Sequence, residues 1–159
     1  MGIISDRLRS RGITLPSPIV LPNGKLPFPW VHVVGNRALI SGHGPARSDG
    51  SYAPSKGRVG AEVTTQEAYA AAQSTAYTVL ANLERELGDL DRIANWVRVF
   101  GMVNCVPGFD RIPEVVNGFS DVILDVFGPE RGRHARSAIG VAELPFGIPV
   151  EVEGEVLLS

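Results

Sequence analysis

From residue 31 onward the apolar positions switch repeatedly between a period of two and a period near 3.6, and each switch marks an element. Val31–Val34 and Ala38–Ser41 are short apolar runs joined across Gly35-Asn36, a two-residue hairpin signal. Thr64-x-x-Glu67 is a capping box. Behind it Ala68, Ala72, Thr75, Val79, Leu83 and Leu87 recur at helical spacing, and Gly88 is a natural stop. The alanine-rich stripe of this helix suits close approach to a flat partner such as a sheet. Ile93–Cys105 is rich in β-formers, and its two rows are Val97, Val99, Val103, Cys105 and Trp96, Arg98, Phe100, Met102, Asn104. Both are mainly apolar, which predicts a strand covered on both faces. Pro113–Phe127 carries a second helical stripe of Val115, Phe119, Val122, Ile123 and Val126, ended by Gly128-Pro129. Ser137–Glu143 and Ile148–Leu158 are the last strands.

The order is β-β-α-β-α-β-β. Two helices suffice to cover one face of such a sheet, which predicts an α+β layer with one helix-free face. The last strand alternates cleanly: Ile148, Val150, Val152, Val156 and Leu158 point one way, Glu151, Glu153 and Glu155 the other. The apolar row is expected under the helices. The Glu row then shares the open face with Trp96, Arg98, Phe100 and Met102, an apolar strip that a monomer seldom leaves in water. This predicts a homo-oligomer buried over that face, with carboxylates and arginines paired at its margins; a solvated Glu row is the plainer alternative.

Residues 1–29 differ from the rest. Ser5 is placed to cap a short helix, Asp6–Arg11, ended by Gly12, after which Pro16, Pro18, Pro22, Pro27 and Pro29 break regular structure. Residues 1–26 are therefore expected as an N-terminal extension laid on one domain spanning 1–159. Residues 42–60 read as an exposed loop. At 159 residues with 44% hydrophobic and 20% charged side chains, the chain has material for a packed core. Fifteen Lys and Arg against 17 acids give a net charge of -2, without the basic footprint of a nucleic-acid binder. The longest uncharged stretch, Ala68–Leu83, is interrupted by polar residues, so no membrane span is expected, and the start lacks the apolar run of a signal peptide. The expected compartment is the cytoplasm. The single cysteine, Cys105, excludes an intrachain disulfide and a multi-thiolate zinc site.

Three residues carry candidate catalytic chemistry. Arg136, at a strand mouth, can hold a carboxylate through two parallel hydrogen bonds, with a salt bridge as the alternative. Glu151 can orient or deprotonate a water, or simply belong to the Glu row. His43, in Ser41-Gly42-His43-Gly44-Pro45, has the side chain best suited to proton transfer near neutral pH, or is a turn histidine. His32 reads as structural and His134 as exposed. No histidine spacing suggests a metal. Cys105, ending a buried strand, reads as a small hydrophobe.

Several segments together resemble the Rid family of reactive imine deaminases, also known as YjgF-like or L-PSP endoribonuclease. They are Gly35-Asn36 with Leu39-Ile40-Ser41-Gly42, Val116-Asn117, Ala135-Arg136-Ser137-Ala138, Val141-Ala142-Glu143-Leu144-Pro145 and Val150-Glu151-Val152-Glu153. The resemblance implies a chorismate-mutase-like fold, a homotrimer whose sheets form a central barrel, and clefts between subunits. It implies that Arg136 clamps a substrate carboxylate, that Glu151 positions water, and that Ser41, Gly42 and Asn117 line the pocket. The implied reaction converts enamines or imines of amino acids, such as 2-aminoacrylate, to 2-keto acids and ammonia, without a cofactor. The chain departs from the family pattern at three positions. Phe28 replaces a tyrosine, Ala138 a cysteine two places after the arginine, and His43 a glutamine; Phe28 and Ala138 are therefore expected at the substrate pocket. The competing readings are a non-enzymatic trimeric binder or sensor of small acids, and a cyclising or condensing enzyme with His43 as base.

Overall fold

In the computed structural model, which describes residues 2–17, 19, 26–53 and 57–159, the expected hairpin forms from β1 (Val31–Val34) and β2 (Arg37–His43). Helix α2 (Thr65–Leu87) starts at the capping box, where Thr64 accepts from the Glu67 amide and Glu67 accepts from that of Thr64. It is followed by β3 (Ile93–Asn104), α3 (Ile112–Arg131), β4 (Ala135–Val141) and β5 (Val150–Leu158). Gly128 has non-helical angles, so Gly128-Pro129 breaks α3, but a further turn continues to Arg131. The sheet order is β1-β2-β5-β3-β4. All pairings are antiparallel except β3 with β4, which α3 joins as a parallel crossover.

Both long helices lie on one face. Val150, Val152, Val156 and Leu158 of β5, Ala38 and Ile40 of β2 and Val99 and Val103 of β3 are buried with the helical stripes. The alanine stripe of α2, expected against the sheet, also serves the neighbouring helix. A Cβ on Gly118 of α3 would come within 2.2 Å of the Tyr69 carbonyl and 3.2 Å of Ala72 Cβ, so the two helices touch closely there.

The register shifts at three places, twice in β3 and once in β2, and two of these bulges correct the expected faces. In β3 the register shifts between Trp96, opposite Val156, and Arg98, opposite Glu155, so Val97 is inserted and the alternation changes phase. Trp96 therefore leaves the predicted open-face row. It is 2% exposed and packs edge-on against Phe119 and Phe127, each at 5.9 Å between ring centres. Losing so buried an aromatic costs roughly 3–5 kcal/mol. The open face keeps Arg98, Phe100 and Met102 opposite Glu155, Glu153 and Glu151. Arg37 pairs with Glu155 at 2.5 Å across this face, and Arg98 lies 5.6 Å from the Phe100 ring centre.

The N-terminal helix α1 spans Ile3–Ser10, earlier than the expected Asp6–Arg11. Ser5 is not its cap; the Ile4 amide donates instead to Asp91 at 3.1 Å, a partner 87 residues away. Ile4 and Leu8 are buried, Arg7 donates to the Val126 carbonyl and Arg11 pairs with Asp125, which ties the arm to α3. Pro18 and Pro22 lie outside the described residues. The loop expected to be exposed over 42–60 is partly buried: Gly44, Pro45 and Ala46 are covered, and Ala46 bridges to Tyr52. Residues 54–56 lie outside the described residues. Among the described residues no helix is long and apolar enough to cross a membrane.

Candidate functional site

The second bulge decides the chemistry of β2. Ile40 stands opposite Gly154 and His43 opposite Val152, so Ser41 and Gly42 together face one partner residue, Glu153. Both therefore turn toward the open face, while His43 turns under the helices beside Ile40. His43 is 1% exposed. Its Nδ1 lies 2.6 Å from the Ser41 carbonyl and its Nε2 3.0 Å from the Asn82 amide nitrogen. Arg85 donates to Asn82 Oδ1 at 2.6 Å, which turns the Asn82 NH2 toward the ring. Nε2 is thus an acceptor and Nδ1–H a donor. Burial, opposed by the Ser41 carbonyl and reinforced by the charge of Arg85, pushes the His43 pKa down to about 4. A buried imidazole with both nitrogens bonded is a structural group, which corrects its expected role in proton transfer.

On the other side of the bulge, Gly42 lies against Glu151. A Cβ at residue 42 would fall 1.9 Å from Glu151 Oε1. The Glu151 carboxyl is half-buried, and no described residue donates a hydrogen bond to it. Burial, and then the like charge of Glu153, raises its pKa above the ordinary value. It borders a cavity of about 180 Å³ that Phe28, Trp30 and Gly42 also line, together with Tyr52 and Phe146. His43 is not among the lining residues, although Trp30 packs on its ring at 4.8 Å. Ser41 sits at the edge of this group, its hydroxyl donating to the Pro29 carbonyl.

Arg136 belongs to a second group. Opposite Val99 in the β3–β4 register, it faces the helices at the sheet edge. Its Nη1 donates to Asn117 Oδ1 at 2.9 Å and Ser120 Oγ at 3.1 Å, and its Nη2 reaches the Pro113 carbonyl at 3.4 Å. Burial lowers its pKa, with Asp121 acting in the opposite direction. Ser120 in turn bonds His134 Nε2 at 2.9 Å, while His134 Nδ1 meets the Gly132 carbonyl at 2.7 Å. His134, expected to be exposed, is therefore half-buried and braces the guanidinium through Ser120; burial lowers its pKa as well. Ala138 lies two places further along β4 with Gly101 opposite, half-buried and packed on the core.

The fold thus gathers Phe28, Ser41, Gly42 and Glu151 into one group and Asn117, Arg136 and Ala138 into another. Within one chain the two do not meet. Glu151 is on the open face of β5, Arg136 on the helix face of β4, and β3 runs between them. A larger groove of about 520 Å³ between the first turns of α2 and α3 touches the Arg136 group only through Asn117. The sequence reading missed Ser120, His134, Trp30, Tyr52 and Phe146. Only the aromatics in Pro- and Gly-rich segments carried a local signal. Among the described residues no group of three or more His, Cys, Asp or Glu is placed to hold a metal.

Known proteins share both the sequence and the fold. Residues 5–148 match the family model described as "YjgF/chorismate mutase-like, putative endoribonuclease". A Trypanosoma cruzi protein named TCP17 is 39% identical over 158 residues, covering 99% of this chain and 96% of its own. The crystal structure of a protein of unknown function from Agrobacterium tumefaciens superposes with a TM-score of 0.85 at 35% identity, over 99% of this chain and 93% of that one. One from Shewanella oneidensis, described as a putative endoribonuclease, superposes with a TM-score of 0.87 at 28% identity, over 98% and 99% of the two chains. On the extent of the family match and the identity across nearly its whole length, this chain belongs to the YjgF/chorismate mutase-like family.

Proposed function

We propose that the protein hydrolyses 2-imino acids, the tautomers of reactive enamino acids, to 2-keto acids and ammonia. Glu151 carries this reading: a half-buried carboxyl with a raised pKa, receiving no hydrogen bond from a described residue, at the border of an apolar cavity. A general base works best when its pKa lies near the working pH, and burial moves Glu151 in that direction. The ionised carboxylate takes a proton from water as the water oxygen adds to the imine carbon, and the C=N electron pair passes to nitrogen. Glu151 returns the proton to nitrogen. Glu151 then takes the hydroxyl proton and delivers it to the amino nitrogen, so that the C–N bond breaks with its electrons on leaving ammonia as the keto C=O forms.

Arg136 supplies the carboxylate clamp. Its braces to Asn117 and Ser120 fix the guanidinium plane and leave donors for a two-bond contact. Since Arg136 and Glu151 lie on opposite faces in one chain, the reading requires a second copy to bring its Arg136 edge to the open-face cavity. A homotrimer burying Leu39, Phe100 and Met102 meets that need. The test is production of 2-keto acid from freshly generated 2-aminoacrylate and larger 2-imino acids. Acceleration over buffer that Glu151→Gln and Arg136→Ala both reduce is the expected result. No acceleration, together with tight binding of a 2-keto acid, would replace the hydrolase with a small-acid binder.

A further inference from the structure

The cavity beside Glu151 is larger and more aromatic than a two-carbon enamine requires. Its volume is about 180 Å³, the space of roughly six waters, and an apolar cavity of about 150 Å³ suffices for benzene. Tyr52 and Phe146 stack with ring centres 4.9 Å apart and planes at 29°, and Phe28 meets Trp30 edge-on at 6.2 Å. These four rings come from three separate segments of the chain. Gly44 keeps the space open, for a Cβ there would lie 2.6 Å from Ile148 Cδ1 and 3.2 Å from the Tyr52 ring.

Phe146 shows that the wall is held in place at a cost. Its φ is 60° and ψ 14°, a left-handed conformation uncommon for an aromatic residue. Strained backbone of this kind gathers at ligand sites. The ring nevertheless remains 55% exposed, and Phe28 is 47% exposed on the opposite segment. Glycine would form this turn without strain; the phenyl ring contributes only the wall.

We propose that this aromatic cavity receives the side chain of the substrate, and that the protein prefers 2-imino acids bearing a phenyl-sized apolar side chain over 2-aminoacrylate and its small analogues. The inference rests on the reading of Glu151 as the group facing the reacting carbon. Tyr52 and Phe146 are then the residues that set specificity, acting on the side chain and not on the bond that is hydrolysed.

The test compares imino acids generated in place by an amino-acid oxidase from alanine, leucine, phenylalanine and lysine. We expect kcat/KM for the phenylalanine product to exceed that for the alanine product by about tenfold or more, the usual worth of a filled apolar pocket. Phe146→Gly relaxes the turn, so its fold is not at risk, and it lowers that ratio about tenfold; Tyr52→Leu acts in the same direction. A ratio near one, a ratio both variants leave unchanged, or a preference for the lysine product would overturn the proposal. A second readout does not depend on turnover. Trp30 lines the cavity, so its fluorescence should report 3-phenylpropionate binding at least tenfold tighter than propionate, with the difference lost in Phe146→Gly. If no imine is hydrolysed faster than in buffer, this difference still sustains the pocket assignment while the deaminase reading falls. Equal binding of the two acids overturns the pocket assignment itself.

Discussion

His43→Gln tests the clearest energetic consequence of the β2 bulge. In the folded chain His43 is neutral, with a pKa pushed down to about 4 from an ordinary 6.5, chiefly by burial. Protonation would add a donor at Nε2, where the Asn82 NH2 already points as a donor. The unfolded chain meets no such obstacle and takes up the proton near pH 6.5. Stability from the neutral ring is therefore complete above the unfolded pKa and falls as pH drops from about 6.5 toward 4. Linkage over these two values gives a loss of about 2 kcal/mol between pH 7 and pH 5, reaching about 3 kcal/mol at pH 4. Glutamine offers an acceptor and a donor at similar reach but does not titrate in this range. Thermal unfolding of both proteins, at one fixed chain concentration, should therefore show wild type losing some 4–8 °C more than the variant between pH 7 and pH 5. Parallel loss in the two proteins would refute the buried neutral ring and reopen His43 as an accessible proton carrier.

Further outcomes follow from the two groups of site residues. Because Glu151 must be ionised to act as base and its pKa is raised, the acidic limb of kcat/KM should lie above the ordinary carboxylate range, with activity rising as pH increases through it. Glu151→Gln should abolish that limb, measured on any imine substrate. Arg136→Ala loses a charge-assisted clamp worth roughly 2–5 kcal/mol, so turnover should fall by about thirtyfold or more, with Arg136→Lys restoring only part. Light scattering should give about three times the chain mass of 17.0 kDa for wild type and for both Arg136 variants; a dissociated Arg136→Ala would reassign the guanidinium to subunit contact. Gly42→Ala places a methyl group 1.9 Å from the Glu151 carboxylate. That carboxylate can swing aside, so unfolding temperature should hold while kcat drops.

What the sequence showed, and what it hid, divide along physical lines. The two long helices were legible because their signals are local: a capping box four residues wide, apolar positions repeating every turn, Gly88 at the end of α2 and the Gly128-Pro129 break near the end of α3. The alternation of β5 was equally plain, and it placed Glu151 on the helix-free face correctly. Helix α1 began earlier than expected because its cap is Asp91, a side chain that no window around residue 3 contains. Trp96, expected on the open face, lies in the core, and His43, expected just past a strand end, closes β2 and turns under the helices. Period-two reasoning assumes that each strand residue has one partner, and an extra residue breaks that assumption just after Trp96 in β3 and just before His43 in β2. The His134–Ser120–Arg136 brace and the four-ring cavity join distant segments, so the pattern of any one segment could not reveal them.

The bulge at Ser41-Gly42 links structure to the proposed chemistry. A regular β2 would have put Ser41 and His43 on one face and Gly42 on the other. The inserted residue instead sends His43 into the core and turns a residue without a side chain toward Glu151. The same feature thus removes the most titratable side chain of the segment from the cavity and gives the Glu151 carboxylate the room it occupies. Glu151 is left as the carboxylate among the described residues that line the cavity with the four aromatic rings. The reaction we propose draws on the raised carboxylate of one copy and the braced guanidinium of another. On that reading the two groups lie on opposite faces of one chain, and only a second copy brings them together.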